Sequence, residues 1–177
     1  SGDTLAFKKT NNLFALNFAK SRAGDGLILC EGYMDVIALH QAGFTNAVAA
    51  LGTSFTAEHA RLIARYASTV TLVFDADAAG QKGTKRAIDL LRDTGVDIRV
   101  ITIPDGKDPD EFIRLHGPER FKLLMERAAN DVEYRLIELG RRYSLDTADG
   151  RVLYLKEAAG LLAGLSSPIE RDVYAGK

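Results

Sequence analysis

The sequence has one cysteine (Cys30), three histidines, four prolines and no tryptophan among 177 residues. A single cysteine excludes a disulfide framework and, with three scattered histidines, also excludes a Cys/His zinc site. Few prolines, sixteen glycines and no biased tract exclude a disordered or low-complexity chain. No apolar run approaches the roughly 20 residues that span a bilayer, and no basic-apolar-small leader opens the chain, so membrane and secretory readings fail. What is left is a soluble globular protein of a reducing compartment, 46% hydrophobic and 27% charged, long enough to bury a core.

Net charge is also nearly absent, at −1, but that value conceals a division. Residues 1–24 carry +3, residues 25–111 carry −5 from 8 basic and 13 acidic groups, and residues 112–177 carry +1. So acidic a middle segment repels phosphates unless cations intervene.

That middle segment alternates two periods. Residues 26–31, 47–51, 70–74 and 98–103 are short apolar runs, expected as strands, the first buried on both faces and the fourth, with its Arg and Thr, an edge. Between them, residues 33–43, 56–66 and 78–93 recur at helical spacing, with Thr56 as an N-cap and Gly43 and Gly95 as stops. Strand and helix in strict alternation predict a largely parallel, four-stranded α/β sheet flanked by helices. After Asp108 the period becomes helical throughout, over 109–116, 118–129, 131–143, 150–164 and 168–175. Residues 1–24 read as a strand-poor stretch with one helix (Asn12 to Ala19). The expected organisation is a partial basic segment at 1–24, the α/β domain at 25–111 and a truncated helical subdomain at 112–177. The chain starts and stops like an excised fragment.

Four acidic positions fall where strands end. Glu31 closes the first, Asp75 the third with Asp77 two residues later, and Asp108 and Asp110 follow the fourth. In a parallel sheet all carboxyl ends point one way and ligands bind outside them, so these carboxylates are expected on one rim. Carboxylates gathered there cannot all ionise without a cation, and hard oxygen donors select Mg²⁺ or Mn²⁺. Structural roles compete: Asp77 suits an N-cap, Asp105 a Pro-Asp-Gly turn, and Asp35 the first turn of a helix. Glu31 is a poor cap and needs another partner. Cys30 reads as a buried thiol, and His40, His59 and His116 as helix-surface residues. The aromatics form no obvious base-stacking platform.

Glu31-Gly-Tyr-Met-Asp-Val-Ile37, Ala50-Leu-Gly-Thr-Ser54, Asp75-Ala-Asp77-Ala-Ala-Gly80 and Pro104-Asp-Gly-Lys-Asp-Pro-Asp-Glu-Phe112 together resemble the Toprim domain of a DnaG-type bacterial primase. The resemblance covers about residues 5–115 and extends more loosely into the helical tail. It implies a Toprim-type α/β fold and synthesis of short RNA primers on single-stranded DNA from ribonucleoside triphosphates. Two or more Mg²⁺ or Mn²⁺ ions would act with bound nucleotide, and no zinc would be held by this segment.

Carried over by position, the resemblance makes Asp75, Asp77, Asp108 and Asp110 metal ligands, with Asp35 in support. Glu31 becomes a ligand or the acid/base group near the 3′-hydroxyl. Lys8, Lys9 and Lys20 would meet template or nucleotide. The implied setting is bacterial cytoplasm at the replication fork, with an RNA–DNA hybrid as product. The fragment is expected to be monomeric, to be weakly active or inactive alone, and to have no membrane partner. The replicative helicase would be reached through a domain absent from this chain. Other readings are a nuclease or topoisomerase relative, a non-catalytic Toprim module, and an Asp-x-Asp phosphatase, against which Ala79 counts.

Overall fold

The apolar runs do become strands. The computed structural model describes residues 8–52, 54–104 and 108–176. It contains β1 (Leu13–Phe14), β2 (Leu27–Cys30), β3 (Ala47–Ala50), β4 (Thr69–Val73), β5 (Asp97–Ile101) and β6 (Ala129–Asn130). They form one sheet in the order β1-β3-β2-β4-β5-β6. The inner four are parallel, and β2, β3 and all but the first residue of β4 are buried, which is why β2 and β3 carry no polar residue and β4 only threonine. Six strands replace the four expected, because β1 and β6 pair antiparallel at the two margins. The fourth apolar run is therefore not an edge: Arg99 and Val100 pair with Asn130 and Ala129.

The helices are α1 (Leu16–Ala19), α2 (Tyr33–Gln41), α3 (Ala57–Tyr66), α4 (Ala78–Arg92), α5 (Pro109–Glu126), α6 (Asp131–Gly140), α7 (Ala148–Ala163) and α8 (Pro168–Ala175). The helix expected from Asn12 to Ala19 is instead a 3₁₀ turn at Lys9–Asn11, then β1, then a single turn of α1. Ala15, left-handed at φ 62°, makes the bend between them.

The chain divides into two compact units, residues 1–131 and 132–177. In the first, α2 and α5 pack against each other, and so do α3 and α4. Ile28, Cys30, Ala49, Val73 and Ile101 share a core with Val36 and Leu39 of α2 and Phe112 and Phe121 of α5. Phe121 is fully buried, with its ring centroid 4.9 Å from that of Phe44. Covering one such ring contributes about 1.5–3 kcal/mol. The span of α5 is broken at Gly117, whose φ of 76° and ψ of 171° are not helical, so two helical pieces result as expected, though the second ends at Glu126 and not at 129, where β6 begins. In the second unit α7 is capped by Thr147, whose Oγ1 accepts the Gly150 N–H at 3.1 Å. The α8 cap is Ser167, at 3.3 Å from the Glu170 N–H.

His59 is the clearest departure among the side chains. Expected on a helix surface, it is fully buried. Its Nε2 lies 2.9 Å from the Lys9 carbonyl and 3.1 Å from that of Asn12, while Nδ1 accepts the Thr56 N–H at 3.3 Å. Every polar atom of the ring is satisfied, which is the condition for burying it. Cys30, by contrast, is buried as expected.

Candidate active site

β2 and β4 are hydrogen-bonded neighbours with Cys30 opposite Val73. Glu31 and Asp75 therefore leave the sheet from adjacent strands at the same end. From β2 the chain turns through α2 to β3, and from β4 through α4 to β5, in opposite directions across the sheet. The crevice between such diverging strands is where α/β sheets hold ligands.

Three of the acids are held locally. Asp77 caps α4, its Oδ1 accepting the Gly80 N–H at 2.8 Å. Asp108 caps α5, its Oδ1 accepting the Glu111 N–H at 2.7 Å. In both, the cap occupies one carboxylate oxygen and leaves the other. Asp35 is buried and accepts the Gly32 N–H at 3.1 Å. The backbone and charge of Asp110 act on its carboxyl, so it lies between the first turns of α2 and α5. Glu31 is exposed and caps nothing.

Electrostatics shows that the acids share a field. Burial first, then repulsion from Glu31, Asp35, Asp108 and Asp77, pushes the Asp75 carboxyl up to about 6. Asp35 is likewise pushed up to about 6, chiefly by burial, with the Gly32 N–H opposing and the charges of Asp108 and Asp110 adding. Asp110 acts on Asp35 and is not among the groups raising Asp75. Burial, with Asp35 and Asp75 adding, drives the Cys30 thiol well above its usual range, so it stays a neutral, unreactive thiol.

A donor set made only of carboxylate oxygens fits a hard divalent cation and no soft metal. Among the described residues no three of these groups converge tightly enough to enclose an ion unaided. Mg²⁺ keeps several waters and takes oxygens from substrate phosphates.

The basic candidates separate. Leu13 pairs with Ala50 at the carboxyl end of β3. Residues Lys8 and Lys9, just before it, therefore emerge on the same side of the sheet as the acids. Lys20 lies in the 3₁₀ turn Lys20–Asp25 that feeds the amino end of β2, away from that rim. Asp105 and its turn reading lie outside the described residues.

Two comparisons bear on this geometry. A family model described as Toprim-like matches residues 28–113, and one described as the DnaB-helicase binding domain of primase matches residues 132–177. The DNA primase of Clostridium acetobutylicum is 47% identical over 178 residues, covering 100% of this chain and 30% of the relative. The chain belongs to the DnaG-type primase family.

Solved structures of that family agree. The RNA polymerase domain of Mycobacterium tuberculosis primase DnaG in complex with double-stranded DNA superposes with a TM-score of 0.85 at 32% identity, covering 98% of this chain and 57% of that one. A DnaG primase catalytic domain bound to single-stranded DNA gives 0.79 at 34% identity, with 98% and 57% covered. The fold is accordingly the Toprim type. The chain spans about 30% of the length of the curated primases it matches. One expectation is corrected: the helicase-binding segment, expected outside this chain, has its match on 132–177, within it.

Gly80 is a site residue that residue-type reasoning passes over. A Cβ there would collide with the backbone of Asp75, so only glycine lets α4 begin so close under the end of β4. The signal is present in the Asp-x-Asp-x-x-Gly spacing. His59 carries no such signal, because the carbonyls it binds are 47 and 50 residues away.

Proposed function

We propose that this chain is the Toprim-bearing part of a primase catalytic core that joins ribonucleotides into short RNA primers on single-stranded DNA. The observation that carries the reading is the placement of Glu31 and Asp75 at the ends of adjacent parallel strands, with the Asp75 carboxyl raised to about 6 by burial first and then by four neighbouring carboxylates. Such an arrangement costs stability when empty and is relieved by bound cations. Residues 1–24 are the end of a basic subdomain, 25–111 the Toprim domain and 112–177 the helical subdomain. The setting is the bacterial cytoplasm, with the replicative helicase as a partner reached through the segment matched at 132–177.

In the reaction the 3′-hydroxyl of the growing primer attacks the α-phosphorus of an incoming triphosphate, and pyrophosphate leaves. Mg²⁺ or Mn²⁺ ions, when bound, lower the hydroxyl's pKa and neutralise phosphate charge. Asp75, Asp77 and Asp108 would hold them; the caps engage only one carboxylate oxygen of each of the last two. Asp35 holds the turn after Glu31 through the Gly32 N–H, with the charge of Asp108 close to it. Glu31, exposed and uncapped, is placed to ligate or to take the hydroxyl proton. Lys8 and Lys9, on the same rim, meet the template phosphates.

Primer synthesis by the full-length primase on a single-stranded template is the test. Asp75→Asn is expected to lower it by on the order of a hundredfold, about 2.7 kcal/mol, while template binding persists. Synthesis undiminished by the substitution would sink the reading.

A further inference from the structure

Ala50-Leu-Gly-Thr-Ser54 is a sequence motif to which the rim chemistry gives no task. Cys30 is level with Ala49, and Leu13 with Ala50, so the chain leaves β3 between Glu31 on one side and β1 on the other. Gly52 turns it sharply, at a φ of 64° and with its N–H donating to the Ala50 carbonyl at 3.1 Å. Ala50, Gly52 and Ser54 share with Glu31 the lining of a cavity of about 580 Å³.

Two anchors hold that turn at its far end. Phe55 is buried, and its carbonyl accepts a 3.0 Å bond from Nε of Arg86, 31 residues further on in α4. Thr56, next in the chain, caps α3 and donates from Oγ1 to the Thr10 carbonyl at 2.9 Å. Arg86 belongs to none of the described ion pairs, so its described bond is to backbone and not to a carboxylate. Glu31, by contrast, lacks an anchor. It is exposed, caps nothing, and is repelled by Asp75 on the neighbouring strand, whose carboxyl its charge helps to raise. Repulsion from the β4 side drives the Glu31 side chain toward β3, where the turn after Ala50 stands beside it.

We propose that Arg86 is a positioning residue for primer synthesis: it touches no substrate, and by holding the Phe55 carbonyl it fixes the turn that limits how far Glu31 swings away from Asp75. The inference rests on the role proposed for Glu31. Loss of the bond frees the turn at one of its two anchors, and Glu31 then spends less time where ions and the 3′-hydroxyl meet.

The test is steady-state primer synthesis by the full-length primase carrying Arg86→Ala, Arg86→Gln or Glu31→Gln. The amide nitrogen of glutamine stands at the same place along the side chain as Nε of arginine, so Arg86→Gln keeps the donor to Phe55 and removes the charge. Arg86→Ala is expected to lower kcat about tenfold while KM for ribonucleoside triphosphates stays within about twofold, and Arg86→Gln to bring kcat back to within about threefold of the wild type. In a Glu31→Gln background Arg86→Ala is expected to cost nothing further, because residues that act through one another are not additive. An arginine that served stability alone would cost the same factor in both backgrounds. Hydrogen exchange at the Thr56 amide, faster in Arg86→Ala and unchanged in Arg86→Gln, reads the anchor without reference to activity. Arg86→Gln as impaired as Arg86→Ala, a raised KM with kcat kept, additive losses, full activity of Glu31→Gln or equal exchange in all variants overturns the proposal. Asp75→Asn, assayed beside them, separates the two claims. Undiminished synthesis there sinks the primase reading, whereas a large loss there with no effect of Arg86→Ala overturns the role of Arg86 alone.

Discussion

Gly80 and Asp75 approach so closely that any side chain at position 80 would strike the Asp75 carbonyl oxygen. That contact sets where α4 begins, and hence where Asp77 caps it. Because the obstacle is backbone, relief requires the helix or the strand end to move. Gly80→Ala is expected to cost about 1–3 kcal/mol in urea unfolding, as overpacking does, and to weaken Mn²⁺ binding with it. Gly160, in α7, has open space around it. Gly160→Ala is expected to stabilise by about 0.5–1 kcal/mol, which checks that the Gly80 effect is steric.

The acid rim predicts a pH dependence with a definite sign. Asp75 and Asp35 titrate near 6 in the folded chain, against an ordinary 3.8. Between about pH 4 and pH 6 the folded state holds more protons than the unfolded one, so stability from these groups falls as pH rises and levels off above the folded value. Asp75→Asn removes that penalty. The variant is expected to exceed the wild type by about 1 kcal/mol at pH 7.5, after allowance for solvent screening, with the difference closing by pH 4. Mg²⁺ added at pH 7.5 should stabilise the wild type more than the variant. Unfolding curves at the two pH values, with and without Mg²⁺, decide it.

His59 binds the start of the described chain to α3. Its Nε2 reaches the Lys9 and Asn12 carbonyls, and Thr56 Oγ1 donates to the Thr10 carbonyl at 2.9 Å. Lys8 and Lys9 thus owe their place on the rim to a buried imidazole. His59→Ala leaves two carbonyls and the Thr56 N–H without their partner and opens a hole, at a cost of about 2–4 kcal/mol. Hydrogen exchange is expected to accelerate first at the amides of Asn11 and Asn12, ahead of global opening. Protection there equal to that of the wild type would show that the clamp is not needed.

The parallel sheet could be read from the sequence because buried strands leave unbroken apolar runs, as Leu27–Cys30 and Ala47–Ala50 do. The marginal strands could not. Two residues, Leu13–Phe14 or Ala129–Asn130, are too few to express a period of two. Strand order was equally hidden, since it depends on crossovers of equal length in either direction. Among the acids, strand-end positions were legible, and so was the choice between cap and ligand for Asp77, which resolves into a cap that leaves one oxygen over. The nearness of Asp110 to Asp35 was not, because it joins residues 75 apart in the chain through the packing of α2 on α5.

Asp77 offers the sharpest separation of structural from chemical role. Its Oδ1 accepts the Gly80 N–H at 2.8 Å, a bond that the amide oxygen of asparagine can accept equally well. Asp77→Asn should therefore leave the unfolding midpoint nearly unchanged, while Asp77→Ala loses the cap and costs about 1 kcal/mol. Ion binding responds differently, because asparagine removes the charge along with the free carboxylate oxygen. Mn²⁺ affinity is expected to fall about tenfold in Asp77→Asn, or about 1.4 kcal/mol, and no further in Asp77→Ala once stability is allowed for. Calorimetric Mn²⁺ titrations of the three proteins at low ionic strength make the comparison. Equal curves for wild type and Asp77→Asn would confine Asp77 to its cap and leave ion binding to Asp75, Asp108 and Glu31.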